Sequence, residues 1–319
     1  MSVALLTKEQ VQARLEQNKY PAQQTYLAMY STWWDGIITE PGLMTVPIDD
    51  HLVHRGDGVF EAIKVVNGRV FLFEEHLRRL ENSAQLIGLA LPMTIEKMKA
   101  VISETVRAAK VQEALLRLYV SRGPGGFTTN PYDSVASQMY LVVTTLKLLP
   151  PEKYLQGVSI GKSAVPPKDP ALARIKSCNY LPNVLMKKES VDRGIDFTIN
   201  VDAQGNFLEG STENMVILDH DGILVRPPLY QILKGTTMMR AFELAEALVK
   251  SGDIAGIQER NFTETDVKSA KEAMMIGTTL DVLPISSYEG HKIGSGSQGP
   301  VAKKLNELLR ENMKLAVPL

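Results

Sequence analysis

The chain has 319 residues, 44% hydrophobic and 22% charged, a balance that excludes a disordered tail and a bilayer-embedded protein. Lys plus Arg at 35 nearly cancels Asp plus Glu at 36, leaving a formal charge of -1, so no global basic field exists to hold nucleic acid. The single cysteine, Cys178, excludes an internal disulfide and any multi-cysteine metal or iron–sulfur centre, and fits a reducing, cytoplasmic setting.

The opening MSVALLTKEQVQARLEQ lacks the charged, apolar, small-residue order of a secretion signal and reads as an amphipathic helix. Residues 59–66 and 69–73 are β-prone runs around Asn67-Gly68, the strongest short hairpin signal. Residues 74–89 carry apolar side chains at helical spacing with Gly88 near the end, and a second helical pattern covers 94–109. Residues 115–121 and 139–145 read as buried strands flanking RGPGGFTTNP. The most apolar stretch, 139–150, is broken by Thr144, Thr145 and Lys147, well short of the roughly 18 residues of a membrane span. LLPPEKY, at 148–154, has two prolines at a change of pattern and is the linker candidate, which predicts domains at 1–149 and 150–319.

The second half opens with a strand at 157–165, a proline-rich turn and RIKSCNY at 174–180. A helix follows to about Arg193, with Pro182 tolerated in its first turn and Gly194 as its C-terminal cap. Two hairpins come next, FTINVD-AQGN-FLEG and ENMVIL-DHDG-ILV. Gly235-Thr236-Thr237 opens an amphipathic helix closed by Gly252; short strands follow at 274–276 and 280–285, then a terminal helix from Pro300. The mixed elements predict an α/β (α+β mixed) protein.

Two glycine patterns suggest nucleotides. GVSIGKS, at 157–163, leaves three residues between its glycines where a P-loop needs four, and it sits inside an alternating strand. GSGSQG, at 294–299, fits G-x-G-x-x-G, but only 20 residues follow it, too few for the remaining strand and acid of a dinucleotide unit. No H-E-x-x-H or Cys/His cluster suggests a metal, no G-x-S-x-G elbow suggests a hydrolase, and lone Cys178 reads as a packing residue.

What remains is dispersed. The turn Lys234-Gly235-Thr236-Thr237 presents N–H groups and hydroxyls at a helix start, an anion site or an ordinary N-cap. Gly277-Thr278-Thr279 offers a second donor set, and Arg79 projects from the 74–89 helix. Glu209 ends a strand before Gly210-Ser211-Thr212, and Lys176 sits in an apolar-flanked turn ahead of Tyr180. An amine, a carboxylate, a phenol and several phosphate donors are together what a pyridoxal phosphate site requires.

The chain resembles the class IV aminotransferases, the fold type IV pyridoxal phosphate enzymes, over about 29–309. The resemblance rests on the ordered blocks HRGDGVFEAIKVVNG, EEHLRRLENSA, RIKSCNYLPNVLMKKES, FLEGSTENMVI, LKGTTMMRA and MMIGTTLDVLPI. It implies that fold, pyridoxal 5'-phosphate in the cleft between two domains, and a homodimer whose subunits share sites. By the same resemblance Lys176 carries the cofactor and moves the substrate's proton, Glu209 bonds the pyridine nitrogen, and Tyr180 lies near the phenolic oxygen. Arg79, Thr236, Thr237 and Thr278 hold the phosphate.

Substrate motifs diverge. Branched-chain members carry H-Y-G-T-S-V-F-E-G where this chain has HRGDGVFEA, and share Arg117. Bacterial D-amino acid aminotransferases have a tyrosine where Phe60 stands, and their trap Arg and His are replaced by Phe127 and Thr129; a rebuilt carboxylate trap would draw on Arg55, Arg117 or Arg122, with Thr279 nearby. VPIDDHLVHRGDGVF and KSCNYLPN are similar to the plant-type D-amino acid transaminases, a branch also linked to aminodeoxychorismate lyase activity. The expectation is transfer of an amino group between an amino acid, leaning to the D series, and a 2-oxo acid by ping-pong kinetics. Branched-chain L-amino acid transamination and the lyase are alternatives, and a nucleotide-binding protein is the remote one.

Overall fold

The computed structural model describes residues 3–318 and divides into two compact units. The first takes the chain up to Val70 and Ala84–Leu146; the second takes Phe71–Ser83 and Lys147–Val317. The proline-rich segment at the change of unit is a helix, Pro151–Gln156, with Tyr154 buried. Pro151 starts it at a position where a missing N–H costs nothing.

In the first unit an antiparallel sheet runs Gly36–Ile38, Tyr26–Ser31, Gln138–Thr145, Ala114–Ser121, Gly58–Val66, Arg69–Val70. Asn67 and Gly68, at φ 52° and 67°, make the two-residue turn expected between the last two strands, because both central positions of such a turn need positive φ. Alternation divides the faces: Val59, Ile63 and Val65 are fully buried, whereas Phe60 and Ala62 between them are half-buried. Helix Ile95–Ala109, capped by Thr94, lays Met98, Ile102 and Val106 on the strands Tyr26–Ser31 and Gln138–Thr145. The N-terminal helix Lys8–Gln17 forms, held by a Thr7/Gln10 capping box, and meets the turn Pro41–Leu43, where a Cβ on Gly42 would lie 2.7 Å from the Leu15 carbonyl, but it buries none of its residues.

The second unit is built on a sheet that closes on itself. The sequence of neighbours is Asn214–Leu218, Glu272–Gly277, Asp281–Tyr288, Val158–Lys162, Phe197–Val201 and Phe207–Gly210. The last pairs back onto the first through Glu209 and Asn214. Phe207, Met215, Ile217, Phe262, Met275, Leu283 and Tyr288 belong to the core it encloses. Helices Thr236–Lys250 and Pro300–Met313 pack on each other and on the sheet through Ala241, Ala245, Leu248, Leu305 and Leu309.

Neither glycine pattern forms a nucleotide cradle. GVSIGKS supplies the sheet strand Val158–Lys162. GSGSQG leads into helix Pro300–Met313, but Glu272 already fills that N-terminus, accepting the N–H groups of Val301 and Ala302 at 2.9 and 2.8 Å. No helix among the described residues is long and apolar enough to cross a membrane.

Candidate active site

The seam of the closed sheet positions the acid. Glu209 is brought opposite Asn214 by strand pairing. Its Oε2 accepts the Leu233 N–H at 3.1 Å and the Asn214 amide at 3.4 Å, while the same amide donates to the Leu233 carbonyl at 2.9 Å. Burial pushes the Glu209 carboxyl up to about 7; the Leu233 N–H, Lys168 and Lys176 oppose that rise, and nearby Glu213 adds to it. The carboxyl is thus poised between its two forms at neutral pH, and a cationic ring nitrogen beside it would hold it ionised.

Lys176 follows the short helix Pro170–Ala173, and its N–H donates to the buried Ser83 hydroxyl at 3.3 Å. Tyr180 is the N-cap of helix Leu181–Asp192, with Pro182 in the first turn, and its hydroxyl reaches the Ser211 carbonyl at 3.5 Å. Asn183, one turn further, donates to the same carbonyl. Lys176, Tyr180 and Glu209 line one cavity, together with Lys168, Asn183, Glu213 and Leu233.

A second cleft holds Arg79, Lys234 and Thr236. Arg79, on helix Phe73–Leu86, donates to the Lys234 carbonyl at 3.1 Å, and His76 on the same helix face meets the Thr236 hydroxyl at 3.2 Å. Helix Thr236–Lys250 begins at Gly235 without a side-chain cap, and the buried Thr237 hydroxyl has no hydrogen-bond partner. An uncapped helix start with an orphaned hydroxyl and an arginine beside it suits a phosphate. Gly235 lets this turn pack closely on Asn214: a Cβ there would lie 1.9 Å from the Asn214 side-chain oxygen. Thr278 and Thr279 lie in the turn after Glu272–Gly277, where a Cβ on Gly277 would be 3.8 Å from the Thr212 carbonyl, so this turn adjoins the Ser211–Glu213 loop.

The Amino-transferase class IV family matches the chain over residues 58–288. The chain belongs to the class IV aminotransferases. The enzyme is therefore an aminotransferase of a pyridoxal 5'-phosphate family, and the residues above fit that group: an amine and a partly buried carboxylate on one cavity, and an uncapped helix start with an orphaned hydroxyl. It is 35% identical over 320 residues to the chloroplastic D-amino-acid transaminase of Arabidopsis thaliana, covering 99% of this chain and 84% of that one. It is 27% identical over 282 residues to a branched-chain-amino-acid aminotransferase of Pseudomonas aeruginosa, covering 86% and 90% respectively. A branched-chain amino acid aminotransferase of T.th., solved with pyridoxamine 5'-phosphate, shares the fold at a TM-score of 0.83, with 24% identity over 90% of this chain and 94% of that one.

In this aminotransferase the cofactor candidates all belong to the second unit, and four of the substrate candidates, Arg55, Phe60, Arg117 and Arg122, to the first. Arg122 grips Asp57 with two nitrogens at 2.7 and 3.0 Å and reaches the Gly88 and Ile87 carbonyls, so each nitrogen of its fork already has a protein acceptor. Arg55 ends the helix His51–Arg55 and donates to the His54 and Phe127 carbonyls. Phe60 stacks on Tyr119 at 5.9 Å, and Arg117 is the exposed residue of strand Ala114–Ser121.

Several neighbours of the site escaped the sequence reading. Asn183 stands three positions after Tyr180 and His76 three before Arg79, helical spacings that could have found both. Asn214, Lys168 and Glu213 gave no such signal, because strand closure and loop packing bring them in.

Proposed function

We propose that this aminotransferase moves an amino group between a D-amino acid and a 2-oxo acid by a ping-pong route, as a homodimer in the cytoplasm. One observation carries the reading: Lys176 and Glu209, 33 residues apart in the chain, line a single cavity. Glu209 then bonds the pyridine nitrogen, Tyr180 the phenolic oxygen, and Arg79, Thr236, Thr237 and Thr278 the phosphate. Bound there, the cofactor supplies an electron sink for the pair left when the substrate Cα loses its proton. The Lys176 amine would hold the cofactor and, when free, would take the substrate Cα proton as a general base.

The lean to the D series is supported by the 35% identity to the plant D-amino-acid transaminase across 99% of the chain. Arg55 and Arg117, with Phe60 and Thr279, are the candidates for receiving the substrate carboxylate; Arg122 is the weaker candidate because its donors are engaged. The homodimer is supported by Leu181, Val184 and Leu185, exposed apolar residues in succession on helix Leu181–Asp192. The cytoplasmic setting accords with the single cysteine, Cys178.

Half-reaction spectra with D-alanine, D-glutamate, L-leucine and L-glutamate test the reading. Conversion by the D substrates alone is expected. Conversion by L-leucine alone selects the branched-chain alternative suggested by the Pseudomonas relative, and pyruvate release from aminodeoxychorismate without an amino acceptor selects the lyase.

A further inference from the structure

Lys168 has no part in the assignment above, yet it lines two cavities against Glu209. One is the cavity shared with Lys176 and Tyr180; the other is bounded by Pro167, Asn183, Asn200, Leu208 and Gln231. Its loop is fixed on both sides: the Asn200 amide donates to the Val165 carbonyl at 2.7 Å, and Asp169 accepts the Ala171 N–H at 2.8 Å. Pro166, Pro167 and Pro170 stiffen what lies between. The ammonium stands 5.3 Å from the centroid of the Tyr180 ring, so this side chain folds over an aromatic face inside the pocket.

A cation drawn out of water needs an opposite charge. The titratable groups on this cavity are Lys168, Lys176, Tyr180, Glu209 and Glu213. Glu213 is engaged by the Thr212 N–H at 3.0 Å and by the Thr212 hydroxyl, and Lys187 faces it. Glu209 is the carboxylate that acts on Lys168: burial lowers the Lys168 pKa and Glu209 opposes that fall, while Lys168 in turn opposes the rise at Glu209.

We infer that Lys168 is a positioning residue of the cofactor site, an ammonium that keeps Glu209 ionised and holds the ring of Tyr180. The inference rests on the assignment of Glu209 to the pyridine nitrogen. Lys168 is the second lysine on that cavity, beside the proposed carrier Lys176.

The test compares the holoenzymes of the parent, Lys168→Met, Lys168→Arg and Glu209→Gln by following the cofactor's near-visible band against pH, with cofactor retention on dialysis as the second readout. Loss of a positive charge raises the proton affinity of every group in the cavity, so Lys168→Met moves the midpoint upward by about one pH unit and retains cofactor about tenfold less tightly. Lys168→Arg keeps both near the parent, which a purely space-filling role does not predict. A midpoint that stays put in Lys168→Met, or moves equally in Lys168→Arg, overturns the inference. Should Lys168→Met fail to fold, Lys168→Gln serves the same comparison. Glu209→Gln with the parent's band, midpoint and retention strikes the underlying assignment; Glu209→Gln disturbed with Lys168→Met silent removes only the role of Lys168.

Discussion

Glu209 shows how burial converts a common side chain into a sensitive one. Its carboxyl is raised from 4.5 to about 7, with burial as the largest cause, so the folded cofactor-free protein binds that proton more tightly than the unfolded chain does. The stability it contributes is therefore fully present below about pH 4.5 and is lost as pH rises through about 7. Cofactor-free Glu209→Gln, neutral throughout, is expected to match the parent near pH 4.5 and exceed it at about pH 8 by on the order of 3 kcal/mol in urea unfolding. Equal curves at both pH values contradict the burial argument. Lys176→Ala makes the complementary claim about chemistry: turnover falls by at least about 10²–10⁴-fold, the range for a lost general base, while circular dichroism keeps the parent's profile. The types of these two residues were visible in the chain, and it was the resemblance to the class IV aminotransferases, not local pattern, that brought them to one site.

Helix starts carry the functional distinction at the next scale. Thr236–Lys250 begins with no side-chain cap and an orphaned Thr237 hydroxyl, whereas the N-terminus of Pro300–Met313 is filled by Glu272. Both turns place glycines before a helix, and the sequence reading set GSGSQG aside because only 20 residues follow it. What separates them is a carboxylate delivered by a distant strand, which no local pattern reveals. Glu272→Ala leaves two helix N–H donors without that acceptor and should cost about 2 kcal/mol in thermal unfolding, with cofactor affinity unchanged. Gly235→Ala should lower both stability and cofactor affinity. Its new Cβ would lie 1.9 Å from the Asn214 side-chain oxygen, and such overpacking typically costs about 1–3 kcal/mol. Because Asn214 supports Glu209, the loss should be read as about tenfold weaker cofactor binding by equilibrium dialysis. Elements with strong periodicity or turn chemistry were legible, among them the Asn67-Gly68 hairpin and the helix capped by Thr94. Strands Tyr26–Ser31 and Gly256–Glu259 were not, the second because it is a short, partly exposed edge.

For the whole molecule, ordered motif blocks disclosed the family more fully than periodicity disclosed the fold. The closure of the second sheet through Glu209 and Asn214 is a long-range property that only the assembled strands possess. That closure sets the acid, and the loops around it set Lys176, Tyr180 and Lys168. The proposed dimer predicts a light-scattering mass of twice the chain, reduced toward one chain by Leu181→Lys together with Val184→Lys; a single-chain mass for the parent contradicts it. The central claim is the identity of the carrier lysine, and borohydride reduction of the holoenzyme followed by peptide mass mapping tests it most directly. A pyridoxyl group on Lys176 alone is the predicted result; the group on Lys168 or another lysine, or on none, contradicts the account.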